Sequence, residues 1–129
     1  MNTQLALAPS AARTASFLTA DISNTEDYRS AIFVIDVTAY PEAASVSPII
    51  QGKSLLSGST YNILISTAIT STGTTILHVG DGTTDVNNVA VGTRLPRVWR
   101  LFVFHANTDP ITYSVGVDLS TGPTRVRTQ

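Results

Sequence analysis

His78 and His105 are the only histidines in the chain, and serine and aspartate are plentiful around them. A Ser-His-Asp relay needs a serine made nucleophilic by a base beside it. The Gly-x-Ser-x-Gly elbow that exposes such a serine is absent. Each histidine instead ends an apolar alternating run, where packing or capping is its expected role. Gly52-Lys53-Ser54 matches the end of a phosphate-binding loop, whose backbone amides and lysine cradle phosphate. The full pattern puts a glycine five residues before Gly52, where this chain has Ser47. Leu55-Leu56-Ser57-Gly58 is also too short for the helix that should follow, so a turn with an exposed lysine is expected. Asp81 and Asp85 offer two carboxylates to calcium, but Thr83 holds the third loop position and Asn and Val occupy the far end. A lone Asp-Gly pair is a turn signal. The chain has no cysteine, which removes disulfides, thiol catalysis and thiolate zinc sites. The expectation is a protein without catalytic residues, metal or cofactor.

Trp99 lies between Arg97 and Arg100, and both residue types anchor protein interfaces. A ring closing the core is the favoured reading of Trp99, with an interface anchor as the sharper one. On a regular strand Arg97 and Arg100 point to opposite faces, so at least one reaches solvent or a partner. The candidate interface residues are Leu5, Leu7, Arg97, Trp99 and Arg100.

The elements that would position these residues are strands. From Arg94 to Leu119 two apolar runs flank a polar break. Ile111, Tyr113, Val115, Val117 and Leu119 alternate with Thr112, Ser114, Gly116 and Asp118, which is the period of a half-buried strand. Ala106-Asn107-Thr108-Asp109-Pro110 holds turn formers, and the pair is read as a β-hairpin at the centre of the fold. Residues 30–39 form a strand apolar on both faces, as a central strand requires. Residues 45–51 form a strand that Pro48 confines to an edge or a bulge. Residues 60–68 place Tyr61, Ile63, Ile65 and Thr67 on one face. Residues 74–79 alternate again, and residues 80–93 are a long loop with one short strand at most. Residues 13–20 alternate weakly around Phe17. No helical period appears. The expected fold is all-β: a single β-sandwich, jelly-roll or immunoglobulin-like, of about seven or eight antiparallel strands. Residues 1–12 are an uncharged extended arm or a loose terminus, residues 13–119 the sandwich, and residues 120–129 a polar tail.

A chain of 129 residues is one domain. Charged residues make up 13% of it, about half the usual share, while 13 Ser and 19 Thr supply hydroxyls instead. A surface of that kind suits contact with other protein surfaces. Low charge and apolar strands also imply a homo-oligomer, a trimer or alternatively a dimer. The net charge of -1 gives no electrostatic footprint for nucleic acid, and Arg94, Arg97, Arg100, Arg125 and Arg127 are too loosely spaced for a basic patch. No run reaches the roughly 18 apolar residues of a membrane span, and the start MNTQLALAPSAA lacks the basic residue of a secretory signal.

Five segments resemble one group of proteins. They are Ser45-Val46-Ser47-Pro48-Ile49-Ile50-Gln51-Gly52-Lys53, Tyr61-Asn62-Ile63-Leu64, Ser71-Thr72-Gly73-Thr74-Thr75-Ile76-Leu77, Leu95-Pro96-Arg97-Val98-Trp99-Arg100 and Ile111-Thr112-Tyr113-Ser114-Val115-Gly116. Together they span roughly residues 30–119. In these the chain resembles small tailed-phage virion proteins of the capsid decoration (cement) type. The resemblance implies a non-enzymatic protein that binds and stabilises the outer surface of an assembled capsid, with the major capsid protein as partner. It implies synthesis in the host cytoplasm and a final place on the virion. It supplies no catalytic residues. A tail or head-tail joining protein is the neighbouring alternative. A carbohydrate-binding sandwich is the alternative from another class, although the one Trp and four Tyr are scattered.

Overall fold

In a computed structural model describing residues 2–40 and 43–121, the alternation becomes ten strands. They are β1 (Asn2–Arg13), β2 (Phe17–Leu18), β3 (Ile22–Ser23), β4 (Ser30–Ala39), β5 (Val46–Lys53), β6 (Thr60–Ile65), β7 (Gly73–Gly80), β8 (Ala90–Val91), β9 (Val98–His105) and β10 (Ile111–Ser120). The count exceeds the expected seven or eight because β2, β3 and β8 are two residues each. Among the described residues there is no helix. Residues 122–129 of the expected tail, and Pro41 and Glu42, lie outside the described residues.

Two sheets pack face to face. One has the order β1-β10-β4-β7-β8 and the other β2-β9-β5-β6, with β3 also on β9. The antiparallel pairs nest: β5 with β6, β4 with β7, β2 and β3 with β9, and β1 with β10. One pairing departs from the antiparallel expectation, because β8 lies parallel to β7.

Side chains at alternate positions fill the space between the sheets. Phe33, Ile35 and Val37 from β4 and Tyr113, Val115, Val117 and Leu119 from β10 meet Val46 and Ile50 from β5 and Trp99, Leu101 and Val103 from β9. Phe33 and Trp99 touch edge to face at 5.6 Å between centroids, the geometry aromatic quadrupoles favour.

The structure departs from three expectations. The central hairpin is absent: β9 pairs with β5 and β10 with β4, so residues 106–110 carry the chain from one sheet to the other. Alternation shows that each strand has a buried face but not that the two share a ladder, and here their buried faces meet across the interior. Second, β5 is interior, between β9 and β6. Pro48 is tolerated because its carbonyl side is the β6 side, and there β6 ends: Ser66 N–H donates to Pro48 O at 2.9 Å while the ladder to β9 runs on. Third, β6 carries a bulge between Leu64 and Asn62, so Leu64 is its buried side chain, and the expected face of Tyr61, Ile63 and Ile65 is split.

The first residues are an edge strand of the chain's own sheet, running from Asn2↔Ser120 to Arg13↔Ile111. Arg13 fastens its end. The guanidinium donates to Tyr113 O at 2.7 Å and to Pro9 O at 2.6 Å, and lies over the Tyr113 and Phe17 rings at 4.6 and 4.9 Å. Those contacts cover carbonyls that an open edge would expose.

Two predictions arise from this packing. At the register pair Ser30↔Gly80, a Cβ on Gly80 would stand 2.5 Å from Ser30 Cβ and 3.1 Å from its Cα. Neither strand can swing away, so Gly80→Ala is expected to destabilise by roughly 1–3 kcal/mol, read from urea midpoints. Tyr113 is fully buried, and its hydroxyl makes no hydrogen bond among the described residues. Burial pushes its phenol above the ordinary value of 10.0, against a smaller opposite pull from Arg13. A raised folded-state value keeps its stabilising effect below the unfolded value and loses it as pH rises from there through the folded one. The urea midpoint is therefore expected to hold to about pH 9 and fall by about pH 11. Tyr113→Phe is expected to lessen that fall and to stabilise at neutral pH by about 1 kcal/mol, since it removes an unpaired polar group.

Candidate interaction surface

An antiparallel sheet with one wet face ordinarily points polar side chains outward. The outer face of the β2-β9-β5-β6 sheet does so over only part of its area. Leu18 pairs with Phe102, Phe102 with Ile49, and Ile49 with Ile65, so four large apolar side chains form one row across all four strands. Leu18 is 49% exposed and Ile65 44%. Phe104, two residues beyond Phe102 on the same face, is 47% exposed, and the two rings lie 6.5 Å apart at 52°. Water gains nothing by covering such a row, so it favours a partner that removes it from solvent.

A polar row adjoins it. Arg100, Gln51 and Asn62 are register partners on β9, β5 and β6. Arg100 Nε donates to Gln51 Oε1 at 2.7 Å, and Gln51 Nε2 donates to Asn62 Oδ1 at 2.9 Å. The relay links three side chains across the outer face of three strands. It engages Nε, one of the three Arg100 guanidinium nitrogens. Further along, Lys53 Nζ pairs with Asp21 Oδ2 at 2.7 Å, and that hydrogen bond, chiefly, draws the Asp21 carboxyl below its ordinary value.

The other sheet's outer face is smaller in its side chains. Its middle row reads Ala6, Gly116, Val34 and Ile76, and the next reads Ser114, Asp36 and Thr74, where the Thr74 hydroxyl donates to Asp36 Oδ1 at 2.5 Å.

The candidate interface residues scatter. Trp99 is 1% exposed and belongs to the core, so its ring does not reach a surface. Arg100 lies on the apolar-row face, and Arg97 is exposed just before β9. Leu5 is 39% exposed, while Leu7 packs against the core. Leu18, Ile49, Ile65, Phe102 and Phe104 are absent from that candidate set. Their signal was an apolar residue at one or two outward positions of each strand, and it becomes visible only once register aligns them.

The remaining motifs are local structure. Gly52-Lys53-Ser54 leads into the β5–β6 turn, where Gly58 N–H donates to Ser54 O at 2.9 Å. At residues 80–83 the Thr83 N–H closes a turn on Gly80 O at 3.0 Å, and Asp85 Oδ1 accepts from Gly92 N–H at 2.6 Å. His105 is buried, with Nε2 2.8 Å from Asp109 O. Among the described residues no three metal-ligating side chains come together. Searches of known protein families and of curated proteins return no match to this chain.

Proposed function

We propose that this chain is a non-enzymatic virion protein of the capsid decoration type. It binds the outer surface of an assembled tailed-phage capsid and stabilises it, with the major capsid protein as partner. The observation that carries the reading is the exposed row Leu18, Phe102, Ile49 and Ile65, with Phe104 beside it. Its extent across four strands suits a broad protein surface.

Two further points support it. The resemblance of residues 30–119 to phage decoration proteins is one. The strand order is the other. Taking β2 and β3 as one interrupted strand and setting β8 aside, we read eight strands nested first with eighth, second with seventh, third with sixth and fourth with fifth. That is a jelly roll, an architecture recurrent in viral capsid proteins. A fold hosts many functions, so the exposed surface carries more weight than the strand order.

The mechanism is linkage. A protein that binds the closed lattice and not the free subunit stabilises the lattice by an amount that grows with its occupancy. The apolar row supplies affinity, and the Arg100-Gln51-Asn62 relay beside it supplies orientation.

The test mixes purified protein with undecorated capsids and measures co-sedimentation and the temperature of DNA release. The wild-type protein is expected to co-sediment and raise that temperature. Leu18→Ser/Phe104→Ser is expected to keep its own melting temperature within a few degrees and to bind at least about tenfold more weakly. Failure of the wild-type protein to bind capsids overturns the reading.

A further inference from the structure

The β5–β6 turn carries two exposed apolar side chains at its tip. Leu56 is fully exposed and Leu55 largely so. The turn that carries them is built rigidly. Ser54 N–H donates to Ser59 O at 2.8 Å, Gly58 N–H to Ser54 O at 2.9 Å and Ser59 N–H to Ser57 Oγ at 3.2 Å, and Gly58 takes φ +76°. Serines surround the leucines, and the nearest ion pair, Lys53–Asp21, is internally neutral. Exposed Arg97 lies beside Leu55, in a cleft they share with Thr25 and Val98, and makes no ion pair among the described residues. The tip is therefore an apolar knob with one positive charge at its base.

The same chain carries a matching hollow. On the other sheet, Thr3, Gln4, Ile32, Asp118 and Leu119 line a depression of about 260 Å³. That exceeds the roughly 150 Å³ that admits a benzene ring, so an isobutyl group fits. Asp118 is exposed at its rim and has no ion pair among the described residues. Knob and hollow lie at one end of the sandwich. Asn24, which lines the cleft beside Leu55, donates to Tyr28 O at 2.7 Å, and the Tyr28 hydroxyl bonds Thr3 Oγ1 at 2.6 Å. Yet they sit on opposite sheets.

We propose that this chain self-associates head to tail, the Leu55–Leu56 knob of one copy seated in the Thr3–Ile32–Asp118 hollow of the next, with Arg97 against Asp118. Charge complementarity selects a second copy as the occupant: the knob's one unpaired cation meets the hollow's one unpaired carboxylate. Two different surfaces in contact make the interface heterologous. Because they sit on opposite sheets, the contact propagates from copy to copy, and a closed ring of it holds three or more. A heterologous contact repeated by a closing rotation makes a ring. This association is independent of what the apolar row of the other face binds.

Light scattering and sedimentation of the full chain test it. Wild type is expected as one species of at least three 13.7 kDa copies. Leu55→Ser/Leu56→Ser lacks the knob, and Asp118→Arg sets like charge against Arg97. Each alone is expected to be monomeric with an unchanged circular dichroism spectrum, its association weakened by roughly a hundredfold. Mixed one to one they are expected to form a dimer and stop, since one intact knob and one intact hollow remain. Arg97→Asp combined with Asp118→Arg is expected to restore the ring. A monomeric wild type at its highest soluble concentration overturns the proposal. So does a knobless variant that keeps the wild-type mass, or a mixture that stays monomeric.

Discussion

Trp99→Ala is expected to lower the free energy of unfolding by roughly 3–5 kcal/mol, the largest loss for a single side chain here. The ring is 1% exposed, packs edge to face on Phe33 at 5.6 Å, and heads the fully buried side chains by volume. It comes from β9 and Phe33 from β4, so it couples the two sheets. Alanine leaves a space that neither sheet can close, because β9 is held on both sides, by β5 and by β2 and β3. Thermal denaturation should show a drop of about 10 °C or more. A melting temperature within a degree or two of wild type would mean that the ring does not support the core.

Deleting residues 1–12 is expected to abolish soluble, cooperatively folding protein. β1 covers β10 from Asn2↔Ser120 to Arg13↔Ile111 and buries Ala8. Without it the ten residues of β10 become an open edge, and exposed edges of that length recruit other chains. Tyr28 also loses its bond to Thr3, and Arg13 its bond to Pro9. Light scattering on heating and the far-ultraviolet spectrum are the readouts. A truncated protein that melts as sharply and as late as the full chain would show that β1 adds nothing to the sandwich.

Fold class was legible because alternation is a local property. Residues 30–39 read as a central strand, and β4 is flanked by β10 and β7. Which strands pair is not local. Val98–His105 and Ile111–Ser120 look like a hairpin, since a polar break between apolar runs fits a tight turn as well as a crossing between sheets. The same limit hid the outer row. Ile49 and Ile65 lie sixteen positions apart, and only the bulged register of β5 and β6 makes them neighbours. Trp99 was legible as a large ring near arginines, and alternation alone did not say which way it faced. Leu55 and Leu56 were visible from the start, but as residues that spoil a phosphate loop. Their exposure depends on the serine-bonded turn beneath them.

The nesting of the strand pairs has a consequence for how the chain acquires its shape. Contacts run outward from one local hairpin, β5–β6, to partners ever farther apart in sequence, and the last pair joins Asn2 to Ser120. Each step closes a longer loop than the one before, which puts the fold among those of high contact order, with folding times of milliseconds to seconds. On the ribosome the first strand is made first and finds its partner last. It waits until almost the whole chain has emerged, a window of some ten seconds at ordinary synthesis rates. Throughout that time β4 also lacks one neighbour and β10 does not yet exist, so the nascent chain's vulnerable surface is the sheet that β1 finally seals.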